Sequence, residues 1–303
     1  MKLKVFKVLL LILTIFIGVG AVFGGVCMLI EPDGRLVFLD SMLPYFQVLP
    51  FSEILFQNYV FSGIMLIIVN GVSNIVATVL ILKNKRAGYV LGAVFGITLM
   101  LWITIQFVIF PFYVIDLVYF IAGALQFVFG YVALVSFNQE NFAFSLEDYK
   151  DIDENSHTLV VYFSRKNYTK KIAYATANQL KANICELKTK ERTEGDIGFL
   201  WCGRFAMHRW GMELLPLEVS LKEYETIIIV TPIWVFRMSA PARQFIRDNA
   251  EELNGKEVKL IFNHFNPWLP TGAIKEVESY VKVAQTQSYT TWLGHTFKRK
   301  AMP

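Results

Sequence analysis

Four long, almost uncharged apolar runs decide what this chain can fold into. They cover residues 8–30, 59–82, 89–110 and 112–137. A bilayer core needs about 20 mostly apolar residues per helix, and each run meets that length. Lipid offers no partners to the backbone, so each run is expected to be a helix that satisfies its own peptide groups. The expectation for residues 1–137 is therefore an all-α transmembrane region of four helices. Pro111 separates the last two runs, which leaves a very tight connection between them. The first run comes after Lys2, Lys4 and Lys7. It exceeds the apolar core of a signal peptide and precedes no small-x-small cleavage pattern, so it reads as an uncleaved span.

The short loops give an orientation. The N-terminal lysines and Lys83, Lys85 and Arg86 carry the positive charge, while Glu31, Asp33, Asp40 and Glu53 outnumber Arg35 between the first two runs. Basic loops stay on the cytoplasmic side. Four spans then return the chain to the cytoplasm of a bacterial cell, as a multi-pass protein of the inner membrane.

The apolar excess (54% of residues, mean hydropathy +0.44) is concentrated before Phe137, and charged residues recur every few positions after it. The formal net charge of +4 is small and scattered, apart from Lys298-Arg299-Lys300, so no nucleic-acid partner is expected. Cys27, Cys185 and Cys202 form no CxxC pair, which argues against iron–sulfur or zinc ligation. The histidines at 157, 208, 264 and 295 all lie outside the apolar runs, so no haem relay across a membrane is expected. Within the runs, Asn70 and Asn74 share a helix face, and Gly92 and Gly96 form a GxxxG. These residues and Gln126 fit helix packing, with small residues at close crossings and amides bonding between helices. Asp116 is placed in or near the fourth run, and a carboxylate there is costly unless it reaches an interface or partner.

Residues 138–156 carry six carboxylates and no apolar period, and read as an acidic linker. From 157 to 303 the pattern changes to short β-branched runs alternating with helical segments. Strands are expected at 158–163, 183–187, 226–230, 258–262 and 284–292, with helices at 169–180, 240–249 and 272–281. That alternation predicts a five-stranded parallel sheet in a three-layer α/β sandwich. Ligands of such sheets bind beyond the carboxyl ends of the strands. The loops there are Ser164–Thr169, Thr231–Arg237 and Asn263–Asn266, the last leading into Pro267 and Trp268. Too few residues come after the fifth strand for a normal closing helix.

Two of these stretches carry a resemblance. VVYFSRKNYTKKIA resembles the strand, hydroxyl-rich loop and helix of the flavodoxin superfamily, and YETIIIVTPIWVFRMSAPARQFI resembles its Thr-Pro-x-Trp segment. GFLWCGRFAMHRWGM, residues 198–212, resembles an insert found in one flavodoxin-like subgroup. The resemblance implies non-covalently bound FMN. Ser164, Arg165, Lys166, Asn167, Tyr168 and Thr169 would form the phosphate loop, with Lys166 adding a charge where the family has threonine and Asn167 replacing a glycine. Thr231, Pro232, Ile233, Trp234, Val235 and Phe236 would frame the ring, with Trp234 and Phe236 stacking on it. Asn263, His264 and Phe265 would form the third wall, which departs most from the family's small residues. The function implied is a membrane-anchored FMN redox protein, either an electron carrier or an NAD(P)H-dependent oxidoreductase, passing electrons to a redox protein or a quinone. The competing reading is a degenerate flavodoxin-like domain without flavin, serving as a binding or regulatory module of the membrane region.

Overall fold

The computed structural model describes residues 2–150, 152–153, 156–266, 270–292 and 295–298. The chain divides into two compact units, Met1–Asn141 and Phe142–Pro303.

The first unit contains α1 (Lys2–Ile30), the short α2 (Ser52–Leu55), α3 (Val60–Leu66), α4 (Ser73–Leu82), α5 (Arg86–Ile109) and α6 (Val114–Glu140). A π-helical turn, Ile67–Val72, joins α3 and α4 into one span of 23 residues. Four helices are therefore long and apolar enough to cross a membrane. Their outward faces stay apolar, as Phe23, Val108 and Ile121 show. Glycines let the helices approach. A Cβ on Gly96 of α5 would lie 2.6 Å from the Gly123 carbonyl oxygen of α6, and one on Gly123 would lie 2.9 Å from the Gly96 oxygen. Gly25 of α1 and Gly63 of α3 make the same reciprocal contact, at 2.7 and 2.9 Å. The expected Gly92 instead faces Leu10 of α1.

Buried amides tie the helices together, as the sequence pattern implied. Gln126 Nε2 donates to Asn74 Oδ1 and to the Gly92 carbonyl, each at 2.8 Å, and so joins α4, α5 and α6. Asn74 Nδ2 donates to the Asn70 carbonyl at 2.8 Å, satisfying a backbone oxygen inside the π turn. Asp116 lies in the first turn of α6, where the helix dipole favours a carboxylate. The basic loops share one end of the bundle: Lys7 Nζ donates to Asn84 Oδ1 at 3.2 Å, and Arg86 Nε to Asn138 Oδ1 at 3.1 Å. The opposite end carries a folded cap rather than a plain loop. It is built from 3-10 segments Arg35–Val37 and Asp40–Val48 together with α2. Phe46 anchors it, with ring centroids of Phe56 and Phe110 each 5.0 Å away.

The second unit holds β1 (Thr158–Tyr162), α7 (Tyr168–Leu180), β2 (Asn183–Glu186), α8 (Gly195–Met207), β3 (Thr226–Trp234), β4 (Arg237–Met238), α9 (Ala240–Asp248), α10 (Ala250–Leu253), β5 (Glu257–His264), α11 (Thr271–Glu278), β6 (Val283–Trp292) and β7 (His295–Lys298). The strand order is β2-β1-β3-β5-β6-β7, with β4 paired to β3. The five expected strands are present and mutually parallel, in the flavodoxin-like doubly wound order. The expected count of five needs correction, because β4 and β7 add antiparallel partners to β3 and β6 and make seven. Neither added strand shows in the sequence. β3 runs on through Trp234 and reverses at Val235 and Phe236, both with positive φ (47° and 60°). Such a hairpin turn normally uses Asn or Gly, so Val-Phe hides it. All four residues of β7 are exposed, so it has no apolar alternation to read.

One sheet face packs on α9, α10 and α11 through Leu159, Val161, Ile227, Ile229 and Phe262. The other carries α7, packed on Val160, Tyr162, Ile228 and Val230. Part of the acidic connector joins this second face: Phe144 and Tyr149 pack on Tyr174 of α7, and Phe142 packs on Tyr168. Lys298 is the last described residue of the basic tail; Arg299 and Lys300 lie outside the described residues.

The glycine crossings give a direct expectation. Gly96→Val should lower the thermal midpoint of the detergent-solubilised protein, at a cost of about 1–3 kcal/mol for overpacking against rigid backbone. Gly24→Ala should leave it unchanged or slightly raised, because the nearest atom to that Cβ is a leucine methyl at an ordinary 3.6 Å.

Candidate functional site

The three expected loops gather at the carboxyl ends of β1, β3 and β5. After β1 the chain turns through Ser164, Arg165, Lys166 and Asn167 into α7. Asn167 adopts a left-handed conformation (φ 63°), which lets the loop deliver the helix start. Two polar groups in this loop are buried without a hydrogen-bond partner: the Ser164 hydroxyl and Arg165 Nη1. Arg165 also lies over the Phe199 ring of α8, 5.1 Å from its centroid. Burial pulls its pKa below the ordinary arginine value, partly offset by the nearby Cys202 and Asp196 side chains. Lys166, the charge that the sequence singles out, is exposed. Tyr168 is half-buried against Phe142, and burial raises its pKa. Thr169 is buried and accepts from Asn263 Nδ2 at 3.3 Å, while Thr291 Oγ1 donates to Asn263 Oδ1 at 2.7 Å.

Thr231, Pro232, Ile233 and Trp234 end strand β3 rather than forming a loop. The Thr231 hydroxyl is 2.6 Å from the Ser239 hydroxyl and ties β3 to the start of α9. Trp234 packs edge-on against Phe163, with centroids 5.4 Å apart, and borders the buried Cys202, Met212 and Ala240. Val235 and Phe236 form the hairpin tip and are exposed, Phe236 to 60%. Asn263 and His264 end β5. The His264 ring is buried, with Nδ1 2.7 Å from the Asn266 carbonyl and Nε2 bonded to the Ser288 hydroxyl. Phe265 is exposed. Pro267 and Trp268 lie outside the described residues.

A cavity of about 390 Å³ opens between the hairpin tip and the start of α11. Ile233, Val235, Phe236, Arg237, His264 and Gly272 are among its lining residues. Its size lies within the usual range of about 300–1,000 Å³ for small-molecule sites. The structure thus brings Ile233, Val235, Phe236 and His264 to one cavity, whereas Trp234, partly buried, packs against Phe163 and does not line it. The rim adds Arg237, the last residue of the expected Thr231–Arg237 loop, and Thr271 and Gly272, which the sequence motifs do not mark as site residues. The start of α11 was the available signal: a Thr-Gly pair after a proline-containing loop puts backbone N–H groups at a helix N-terminus.

One buried arginine fixes the walls. Arg243 of α9 is fully buried and pairs with Glu276 of α11. It also donates to the Trp210 carbonyl at 2.9 Å and the Met238 carbonyl at 3.0 Å. The segment after α8, the hairpin and α11 therefore meet at one guanidinium.

No family model and no curated protein matches the chain. Among solved structures, a flavoprotein from Lactobacillus acidophilus in complex with FMN matches at 17% identity and TM-score 0.37, over 43% of this chain and 91% of that one. Candidate flavoproteins from Bacteroides eggerthii (15%, TM-score 0.38) and Bacteroides uniformis (23%, TM-score 0.37) match over 43% and 45% of this chain and 86% and 90% of theirs.

Two measurements check the site's framework. Arg243→Met leaves Glu276 buried without its partner, and should destabilise this unit by about 3–5 kcal/mol in denaturant unfolding. Cys202 is 2% exposed, and burial pushes its thiol up to about 11. At pH 8 only about one thiol in a thousand is then ionised. Native protein should leave Cys202 unmodified by iodoacetamide at that pH, and unfolding in urea should expose it to rapid labelling.

Proposed function

We propose that this chain is a membrane-anchored flavodoxin-like redox protein whose second unit binds FMN on the cytoplasmic side of a bacterial inner membrane. The observation that carries this reading is the pair of orphaned groups in the β1–α7 loop. A buried hydroxyl and a buried guanidinium N–H without partners each cost stability unless a ligand completes them. An FMN phosphate offers the acceptors that Ser164 and Arg165 lack, and the N-terminus of α7 adds backbone donors and a favourable dipole. The residues present therefore fit the group, with Arg165 in the part that the sequence resemblance gives to Lys166.

Bound there, the flavin supplies the electron-transfer chemistry. The protein's own side chains hold and shield it. Phe236 offers an exposed aromatic face beside the cavity, and Ile233 and Val235 keep the surroundings apolar. Arg237 places a positive charge at the same rim. Trp234 acts through Phe163 and the hairpin rather than by stacking. Grouping of the basic residues at one bundle end, where α6 also finishes, supports cytoplasmic placement of the second unit. Electron donor and acceptor classes stay as the resemblance implied: a nicotinamide or protein donor, and a quinone or redox-protein acceptor.

A flavin-free binding module remains the competing reading, and one observation favours it. Asn263 and His264 are already engaged by Thr169, Thr291, Asn266 and Ser288, which leaves the third wall few free polar groups. Titration of the purified full-length protein separates the two. FMN should bind about tenfold or more tightly than riboflavin, as a charge-assisted contact of about 1.5–3 kcal/mol requires. Arg165→Met and Ser164→Ala should remove most of that preference, and Lys166→Ala should change it little. Absence of flavin fluorescence quenching at tens of micromolar would establish the module instead.

A further inference from the structure

The membrane unit contains a second site that the flavin reading does not use. Beneath the cap, at the bundle end remote from the basic loops, lies a cavity of about 290 Å³. Six aromatic side chains line it: Phe46, Phe56, Tyr59, Phe61, Trp102 and Phe110. No charged side chain is among the lining residues. Two lining residues nevertheless carry buried polar atoms without a hydrogen-bond partner, the Ser62 hydroxyl and Gln106 Oε1. Ser62 is 8% exposed overall. Elsewhere in the same span, Ser73 returns its hydroxyl to the Val69 carbonyl one turn back, the ordinary solution for a serine in an apolar helix. Ser62 makes no such bond, and it lines the cavity.

We infer that this cavity binds an uncharged, lipid-soluble aromatic alcohol, a phenol- or naphthol-class molecule, whose hydroxyl completes Ser62 and Gln106. A hydroxyl both donates and accepts, so it matches an orphaned carbonyl-type oxygen and an orphaned O–H donor. The match survives exchange of the Gln106 amide oxygen and nitrogen. Phosphate, carboxylate and ammonium head groups are disfavoured, since nothing in the wall neutralises them. Size favours a ring system. An apolar cavity of about 150 Å³ holds one benzene, so roughly twice that volume accommodates two fused rings. Aromatic walls favour offset or edge-on packing against those rings. A water cluster fits poorly, because each water needs two to four polar partners and the wall is almost wholly apolar. About 20 residues of α5 separate Gln106 from the 83–86 turn, roughly 30 Å along a helix. The site is thus independent of the loops at the cytoplasmic end.

The test uses the full chain in lipid nanodiscs, with empty nanodiscs correcting for partitioning. 1-Naphthol should bind saturably above that background. 1-Methoxynaphthalene cannot donate a hydrogen bond and should bind two- to tenfold more weakly. Gln106→Leu should abolish that difference, whereas Ser62→Ala should weaken both compounds. 1-Decanol should compete poorly if the aromatic walls select a ring, and equal competition by decanol would overturn the ring assignment. Thermal midpoints of the variants report folding, and Ser62→Ala removes a single unpartnered atom, so it is expected to fold. The inference is overturned if naphthol shows no binding above empty nanodiscs. It is equally overturned if folded Ser62→Ala and Gln106→Leu bind both compounds as the parent does, for then the cavity holds any apolar filler.

Discussion

Arg243 is the largest fully buried side chain among the described residues, and its guanidinium faces four acceptors: both Glu276 carboxylate oxygens and the carbonyls of Trp210 and Met238. A buried cation without such partners would cost several kcal/mol, so these segments have little freedom to separate. They are also the segments that shape the cavity. The hairpin carries Val235, Phe236 and Arg237, and α11 begins with Thr271 and Gly272. The geometry of the candidate site is therefore a consequence of one ion pair buried beneath it.

The first unit, with its four helices long and apolar enough to cross a membrane, meets the same demand with neutral groups. No guanidinium is buried there among the described residues; instead Gln126 bonds across three helices and glycine pairs bring backbones into contact. Helices with apolar outer faces would gain no hydrophobic drive to associate in lipid, where close packing and amide bonds hold such bundles. Where these groups are complete, as at Asn74, the helices lock. Ser62 and Gln106, which line the cavity beneath the cap, each keep an unpartnered polar atom.

A common logic links the two candidate sites. In each, buried polar atoms lack protein partners: Ser164 and Arg165 in the β1–α7 loop, Ser62 and Gln106 beneath the cap. The chemistry differs with the charge present. A guanidinium and a helix N-terminus select an anion, while a hydroxyl and an amide select a neutral molecule.

Much of the architecture was legible in the residues. The four apolar runs fixed helices through length and lack of charge, and the five β-branched runs fixed a parallel sheet, because both patterns are local. The place of the loops at the strand ends came from topology, and the left-handed turn at Asn167 came from residue chemistry. The rest depended on partners distant in sequence. Whether Arg165 or Lys166 turns inward is decided by α8, which supplies Phe199. Trp234 reads as a stacking residue, but it packs edge-on against Phe163 beside a hairpin that is invisible in the sequence because Val-Phe rarely takes two positive φ angles. The cap and its cavity were equally hidden, since Phe46, Phe56 and Phe110 meet only once three separate segments have folded together. Sequence alone determined which segments are helix, strand and membrane-compatible, since those choices rest on local periodicity and hydration. Tertiary structure alone decided which polar atoms were left without partners, since satisfaction of a buried group depends on everything packed around it.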